Sequence, residues 1–371
     1  MGALGLVRSL AILWAGSLFF CAPVQADNTY WSHRPEEAGD WHDQANWSAD
    51  VPCADDVAYV SNGGTAHLAC GQGVALHLVA GYLSPGAVHQ TGGRLTVAEN
   101  VYLGFSGGDG TYTLSAGQLA VEILFVGEFG AAGMLDLAGP AAEVVVSVRL
   151  GLGRYSVLSA AAGSTVRMVG AAFDNQQTCP EELAGLANLA VVFEGGPGQV
   201  DTFEAAGEDM GPSVEGWQGN FALGSLTLGA ADCGRIRLLD NHDNRPTWQG
   251  TEALYVHDLV LNAGATIELG VCNLYYLNGA APKRLFLGDA DLDGAVALSD
   301  LSAVAFHWSS PSDATWAMGD FDGNGAVNLG DLSTLAYHWG SATAAVGAAP
   351  EPAAMLLIAV GAPLWLRRRR A

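Results

Sequence analysis

The chain has 371 residues, of which 50% are hydrophobic and only 14% charged, with 49 glycines. That composition excludes a disordered chain and suits a glycine-punctuated β protein of two or three domains. The formal net charge is −23, and five of the 15 basic residues are Arg8 and Arg367–Arg370; without these, ten basic residues face 38 acidic ones, a net of −28. Such a body repels nucleic acid and anionic membranes, so no nucleic-acid partner is expected.

Residues 1–26 have the form of a secretory signal: Arg8 as the positive region, the apolar run Leu10–Phe20, and Val24-Gln25-Ala26 before Asp27. Export permits disulfides. Of the five cysteines that remain, Cys53–Cys70 and Cys233–Cys272 are the expected pairs, leaving Cys179 single; no spacing points to zinc.

Residues 27–85 are expected to form a Trp-rich N-terminal cap. The pattern Gly39-x-Trp41-x5-Trp47, followed by Pro52 and Asp55-Asp56, resembles the segment that opens many secreted bacterial β-repeat proteins. Tryptophan there covers the end of a solenoid core; stacking on sugar rings is the alternative.

Residues 86–280 are expected to form the body. GAVHQTGGRLTVAENVYLG (86–104), GTYTLSAGQLAVEILFVG (110–127) and GMLDLAGPAAEVVVSVRLG (133–151) repeat one another. Gly86, Gly110 and Gly133 are 24 and 23 residues apart, and Gly104, Gly127 and Gly151 are 23 and 24 apart. About 23 residues is one coil of a parallel β-helix, three short strands with glycine at the corners. The fold class expected is therefore mainly β, a parallel β-helix or solenoid, with a β-sandwich of regular hairpins as the competitor. A short helix is predicted over 180–189, and strands return at 224–239 and 252–279. The stretch from FEGGPGQVDTFE (193–204) to Tyr275–Tyr276 resembles secreted proteins of planctomycete-type bacteria.

Near the C-terminus one unit occurs twice, 31 residues apart: GDADLDGAVALSDLSAVAFHW (288–308) and GDFDGNGAVNLGDLSTLAYHW (319–339). Oxygen-bearing side chains fall at Asp289, Asp291, Asp293 and Asp300, then at Asp320, Asp322, Asn324, Asn328 and Asp331. These are positions 1, 3, 5, 9 and 12 of a twelve-residue calcium loop, with Ala297 at position 9 of the first copy. Alternate residues of a tight loop point inward, and Ca²⁺ takes six to eight hard oxygens. Gly294 and Gly325 stand at position 6, where a Cβ would obstruct the turn. The carbonyls of Ala295 and Ala326 supply position 7, and Val296 and Val327 anchor the loops to a core. Each loop is followed by a helix, predicted over 299–308 and 330–339.

A duplicated loop–helix unit without entering helices resembles the type I dockerin module, over about 285–340. The resemblance implies a small α-helical fold built by about two Ca²⁺ that docks onto a cohesin-type protein. The partner-reading pairs implied are Leu298–Ser299 and Leu329–Gly330, which depart from the usual hydroxyl pair.

After a small-residue linker (341–349) come Pro350-Glu351-Pro352, the apolar run Ala353–Leu366 and Arg367–Arg370. These three parts in order resemble the PEP-CTERM sorting signal (350–371). The resemblance implies a short C-terminal transmembrane helix, recognition by an exosortase-type protease, and delivery to the cell surface or exopolysaccharide matrix. Fourteen apolar residues fall short of the ~20 that span a bilayer comfortably; a plain tail anchor is the alternative, and the arginines would stay on the cytoplasmic side.

Catalytic chemistry is not evident. Polysaccharide cleavage needs paired carboxylates, and Glu122, Asp136 and Glu143 do not recur at one coil position. The polar run Asp240-Asn241-His242-Asp243 precedes Asn244-Arg245-Pro246 and is expected to be a turn. No G-x-S-x-G, HExxH or Walker loop is present. The expected function is that of an exported surface or matrix protein with a calcium-folded docking module. The alternative is a glycoside hydrolase or polysaccharide lyase on a β-helix scaffold.

Overall fold

The computed structural model describes residues 27–34, 37–195, 199–211, 214–229, 234–248, 250–279, 288–291, 295–309, 314, 318–321 and 326–341. The signal segment 1–26 and the sorting segment 350–371 lie outside them. Among the described residues no helix is long and apolar enough to cross a membrane.

The body is a parallel β-solenoid of about ten turns, and the β-sandwich alternative is overturned by its strand directions. Gly86–Gln90 pairs in parallel with Gly110–Leu114, which pairs in parallel with Gly133–Leu137, and that with Ser156–Ala160. Gly86, Gly110 and Gly133 stand in register. A Cβ on Gly86 would lie 1.7 Å from the Val60 carbonyl oxygen, and one on Gly110 2.0 Å from that of Ala80. Glycine recurs because the backbone of the preceding coil passes there. The third repeat runs two residues longer than the spacing of Gly127 and Gly151 predicts. Gly151 pairs with Phe125 inside a strand, and Gly153 makes the corner, donating its N–H to Val126 O.

The solenoid has three faces. The first carries Ala38–Asp40, Thr65–Leu68, Gly86–Gln90, Gly110–Leu114, Gly133–Leu137 and Ser156–Ala160. The second begins at Gln72–Ala75 and runs through the early parts of Arg94–Phe105, Ala116–Phe129 and Ala141–Leu152. It continues to Thr165–Met168, Ala190–Phe193, Leu223–Leu228 and Glu252–Leu261. The third starts at Asn28–Tyr30, Val57–Val60 and His77–Tyr82, takes the later parts of the same long strands, and ends through Ala172–Asn175, Asp201–Glu204, Arg235–Leu239 and Thr266–Glu268.

Alternation sends every second side chain inward. Leu95, Leu119, Val144, Val166, Val191, Leu226 and Leu259 make one buried file up the second face. No coil buries its apolar face alone, so stacking makes the core. The buried Gln90 and Tyr112 satisfy each other, the phenol donating to Gln90 Oε1, while Gln90 Nε2 donates to the carbonyls of Gly92, Gly93 and Gln118. The first face ends at Ser156–Ala160. There the 3-10 stretch Pro180–Asn188, close to the predicted helix, takes the next strand's place. Gly185 lies where a Cβ would sit 2.6 Å from Ala160 N, and Asn188 Nδ2 donates to Ala160 O.

At the N-terminal end Trp31, Trp41 and Trp47 are buried, with ring centroids 4.9 and 5.0 Å apart, so their faces are closed to a sugar. Asn46 is also buried, donating to Asp40 O.

The Cys53–Cys70 expectation is corrected: no disulfide joins them. Cys53 sits in the turn that precedes a third-face strand, its N–H on Asp56 Oδ2, whereas Cys70 is exposed at the corner between the first and second faces. Cys272 is a buried thiol and Cys233 lies outside the described residues.

Candidate metal centre

The duplicated unit folds as two loops and two helices, Leu298–Phe306 and Leu329–Tyr337, around a small core of Ala290, Val296, Val304, Phe321, Val327 and Leu335. The position-8 valines are buried, as their role as anchors requires. Each loop is fastened to the far helix's end: Val296 exchanges backbone bonds with Gly340 and Ser341, and Val327 O accepts from Ser309 N. The glycine before each loop follows the same exchange. Gly288 packs against Leu335 and Gly319 against Val304, both with φ near +100°.

In the first loop the carboxylates of Asp289, Asp291 and Asp300 converge, with one oxygen of each within 4.8 Å of the others. Asp289 and Asp300 are fully buried; Asp291 is exposed. Asp300 stands in the first turn of its helix. Its Oδ1 accepts the N–H of Ala290 at 2.6 Å and of Asp291 at 3.3 Å, and its Oδ2 accepts Ala297 N–H at 2.8 Å. The carboxylate thus serves the helix N-terminus, where its charge also meets the dipole. In the second loop Asp331 accepts from Phe321 N at 2.7 Å and Asn328 N at 2.8 Å. Asp320 and Asp331 are buried as well. Asn328 gives its amide oxygen to Gly330 N–H and its Nδ2 to the Ala326 carbonyl, and so acts as an N-cap in this geometry.

Asp293, Asp322 and Asn324 lie outside the described residues. The donors that are described fit a hard divalent cation: carboxylate oxygens from alternate loop positions, with the carbonyl of Ala295 in the same loop. Two buried carboxylates at such a separation repel by about 3–4 kcal/mol at an effective dielectric near 20, and a divalent cation between them reverses the sign.

The exposed side of the unit is duplicated and apolar. Leu298 and Leu329 are 69% and 68% exposed, Phe306 and Tyr337 both 86%, and Trp308 and Trp339 45% and 50%.

The polar run at 240–243 is a turn, and sequence spacing gave no sign of the acids that hold it. Glu204 Oε1 accepts from Asn241 N and His242 N at 2.6 and 2.7 Å, and Glu252 Oε1 accepts from Asn244 N and Arg245 N at 2.8 and 3.0 Å. Burial, with Asp240 and Glu204 nearby, pushes the Glu252 carboxyl up to about 8; Glu204 is raised for the same first reason, and the Cys272 thiol beneath reaches about 12. The turn borders a cleft of about 420 Å³ with Asp240, Asp243, Arg245 and Trp248 on its walls. Of the repeat carboxylates, Asp136 accepts from Ser159 and Glu143 pairs with Arg167.

No family model, curated protein or solved structure matches the chain.

Proposed function

We propose that this chain is an exported surface or exopolysaccharide-matrix protein: a β-solenoid body carrying a calcium-folded, dockerin-like module that docks a cohesin-type protein. The observation that carries this reading is the convergence of Asp289, Asp291 and Asp300, two of them fully buried, in a loop repeated 31 residues later. Calcium supplies the charge that holds such a loop closed, so binding and folding of the module are one equilibrium. The twice-repeated apolar set of Leu298, Phe306 and Trp308 offers the docking surface. Export by residues 1–26, exosortase-type processing and transient anchoring by a short transmembrane helix at 350–371 rest on the sequence resemblance.

Calcium titration of the full chain by calorimetry tests the reading. About two ions bound, with a gain in helical signal reversed by chelation, is the expected result. No uptake, or uptake without structural change, overturns it.

One observation favours polysaccharide cleavage as a second reading: Glu252, holding a proton near neutral pH, stands beside Asp240 in the 420 Å³ cleft. Against it, Glu252 is 3% exposed and spends one oxygen on the turn's backbone. New reducing or unsaturated ends from a polysaccharide panel, lost in Glu252→Gln, would establish it.

A further inference from the structure

The third face carries a row of aromatic rings on its outer side. Register puts Tyr30, Tyr59, Val79, Tyr102 and Phe125 at one position on five successive coils. Tyr30 and Tyr59 stack at 4.8 Å with their planes 14° apart; Tyr102 and Phe125 stack at 5.1 Å and 20°. Val79 interrupts the row. Coils are spaced ~4.8 Å, so Tyr59 and Tyr102 stand on strands about 10 Å apart with a short aliphatic side chain between them. Tyr82 and Phe105, stacked at 5.9 Å, close one side, and Tyr82 leans toward Tyr59 at 5.6 Å. The slot so formed is an open groove of about 190 Å³.

The neighbouring outer file is polar at the same two coils. His77 and Asn100 sit there, two residues before Val79 and Tyr102. Asn100 N–H donates to His77 Nδ1 at 3.3 Å, so that nitrogen is the acceptor and Nε2–H points to Glu99, 3.5 Å away. Asn100 Nδ2 donates to the Tyr102 phenol at 3.1 Å, which leaves the phenolic proton for an outside acceptor.

A groove with aromatic walls, an aliphatic floor and one hydrogen-bonding edge matches a ring that is apolar on its faces and hydroxylated at its rim. A flat aromatic ligand would leave the polar file unused. An anionic polymer would meet a strongly acidic chain, the Glu99 carboxylate and a groove lined by no lysine or arginine. We propose that the slot over Val79, between Tyr59 and Tyr102, binds one sugar ring of a neutral polysaccharide, its C–H faces on the phenol rings and its hydroxyls toward His77, Asn100 and the Tyr102 hydroxyl. This rests on the matrix-associated part of the proposed function and names the ligand class; it does not involve the calcium loops.

The test is affinity electrophoresis of the full chain in gels containing mixed-linkage β-glucan, xylan or galactomannan, with polygalacturonate as the acidic control, each run with calcium and with chelator. Retardation by at least one neutral polymer, unchanged by chelator and absent with polygalacturonate, is expected. Val79→Tyr supplies the missing ring of the row and fills the slot. It should fold with an unchanged or higher unfolding midpoint and weaken retention about tenfold or more. Tyr102→Phe, which keeps the stack and removes the hydroxyl, should weaken it less. The proposal is overturned if no neutral polymer is retained, if Val79→Tyr binds like the wild type, or if retention needs calcium. Failure of the docking module to take up calcium leaves the chelator arm of this experiment unaffected, so the two readings fail separately.

Discussion

The Asp300 carboxylate reaches back ten residues to the N–H of Ala290 at 2.6 Å, closing the first acidic loop onto the helix it also caps. Asp331 does the same for Phe321 at 2.7 Å. One side chain thus fixes the loop's entrance, the helix start and one corner of the oxygen cluster. Asp300→Ala should remove one of about two calcium ions from the full chain and cost about 1–3 kcal/mol of module stability even in chelator, because the N–H of Ala290 and Ala297 lose their acceptor. Calorimetric titration counts the ions, and thermal unfolding in chelator separates capping from metal binding.

Gly288 and Gly319 need both their φ near +100° and the missing Cβ. An added Cβ on Gly319 would lie 2.6 Å from Val304 Cγ2, and one on Gly288 3.1 Å from Leu335 Cα. Gly319→Ala should destabilise the two-loop unit by about 1–3 kcal/mol, leaving the solenoid transition in place. Urea unfolding followed by helical signal checks it; an unchanged midpoint would show that the exchanged packing contributes nothing.

Within the solenoid, Tyr112→Phe removes the donor to buried Gln90 Oε1 and opens almost no cavity. The expected loss is about 1–3 kcal/mol, the cost of an unsatisfied buried acceptor. The fall in urea midpoint should come without a change in slope.

Acids buried in the later coils set a pH dependence. Glu252 is raised to about 8 and Asp201 to about 6, both by burial. The folded chain therefore holds protons that the unfolded chain releases, and stability falls as pH rises from about 4.5 to 8. Urea midpoints at pH 5, 7 and 9 should decline in that order. Glu252→Gln, which keeps an acceptor for Asn244 and Arg245, should flatten the upper part of the decline.

What the residues disclosed depended on whether the signal was local. The coil period was legible from Gly86, Gly110 and Gly133 because a glycine is forced wherever the previous coil's carbonyl lies within about 2 Å of its Cβ position. Gly151 misled by two residues, since a bulge between Val121 and Ile123 shifts the strand against its neighbour. The helices after both loops began within one residue of expectation. Glu204 and Glu252 were invisible as a pair, being 48 residues apart and joined only through the turn they hold. Tyr59, Val79 and Tyr102 likewise fall into one row only once the strand register is known. Cys53 and Cys70 were paired on sequence proximity, which says nothing about which corner of a coil each occupies.

The way the first face stops has a consequence for the chain in company. A parallel stack presents at its last rung a ready template on which another molecule's strand can seat. Here Asn188 occupies the carbonyl of Ala160, and Gly185 brings the 3-10 backbone hard against the same rung. On that side the stack has a built-in stopper, so concentrated protein has no open rung there from which to polymerise into fibres.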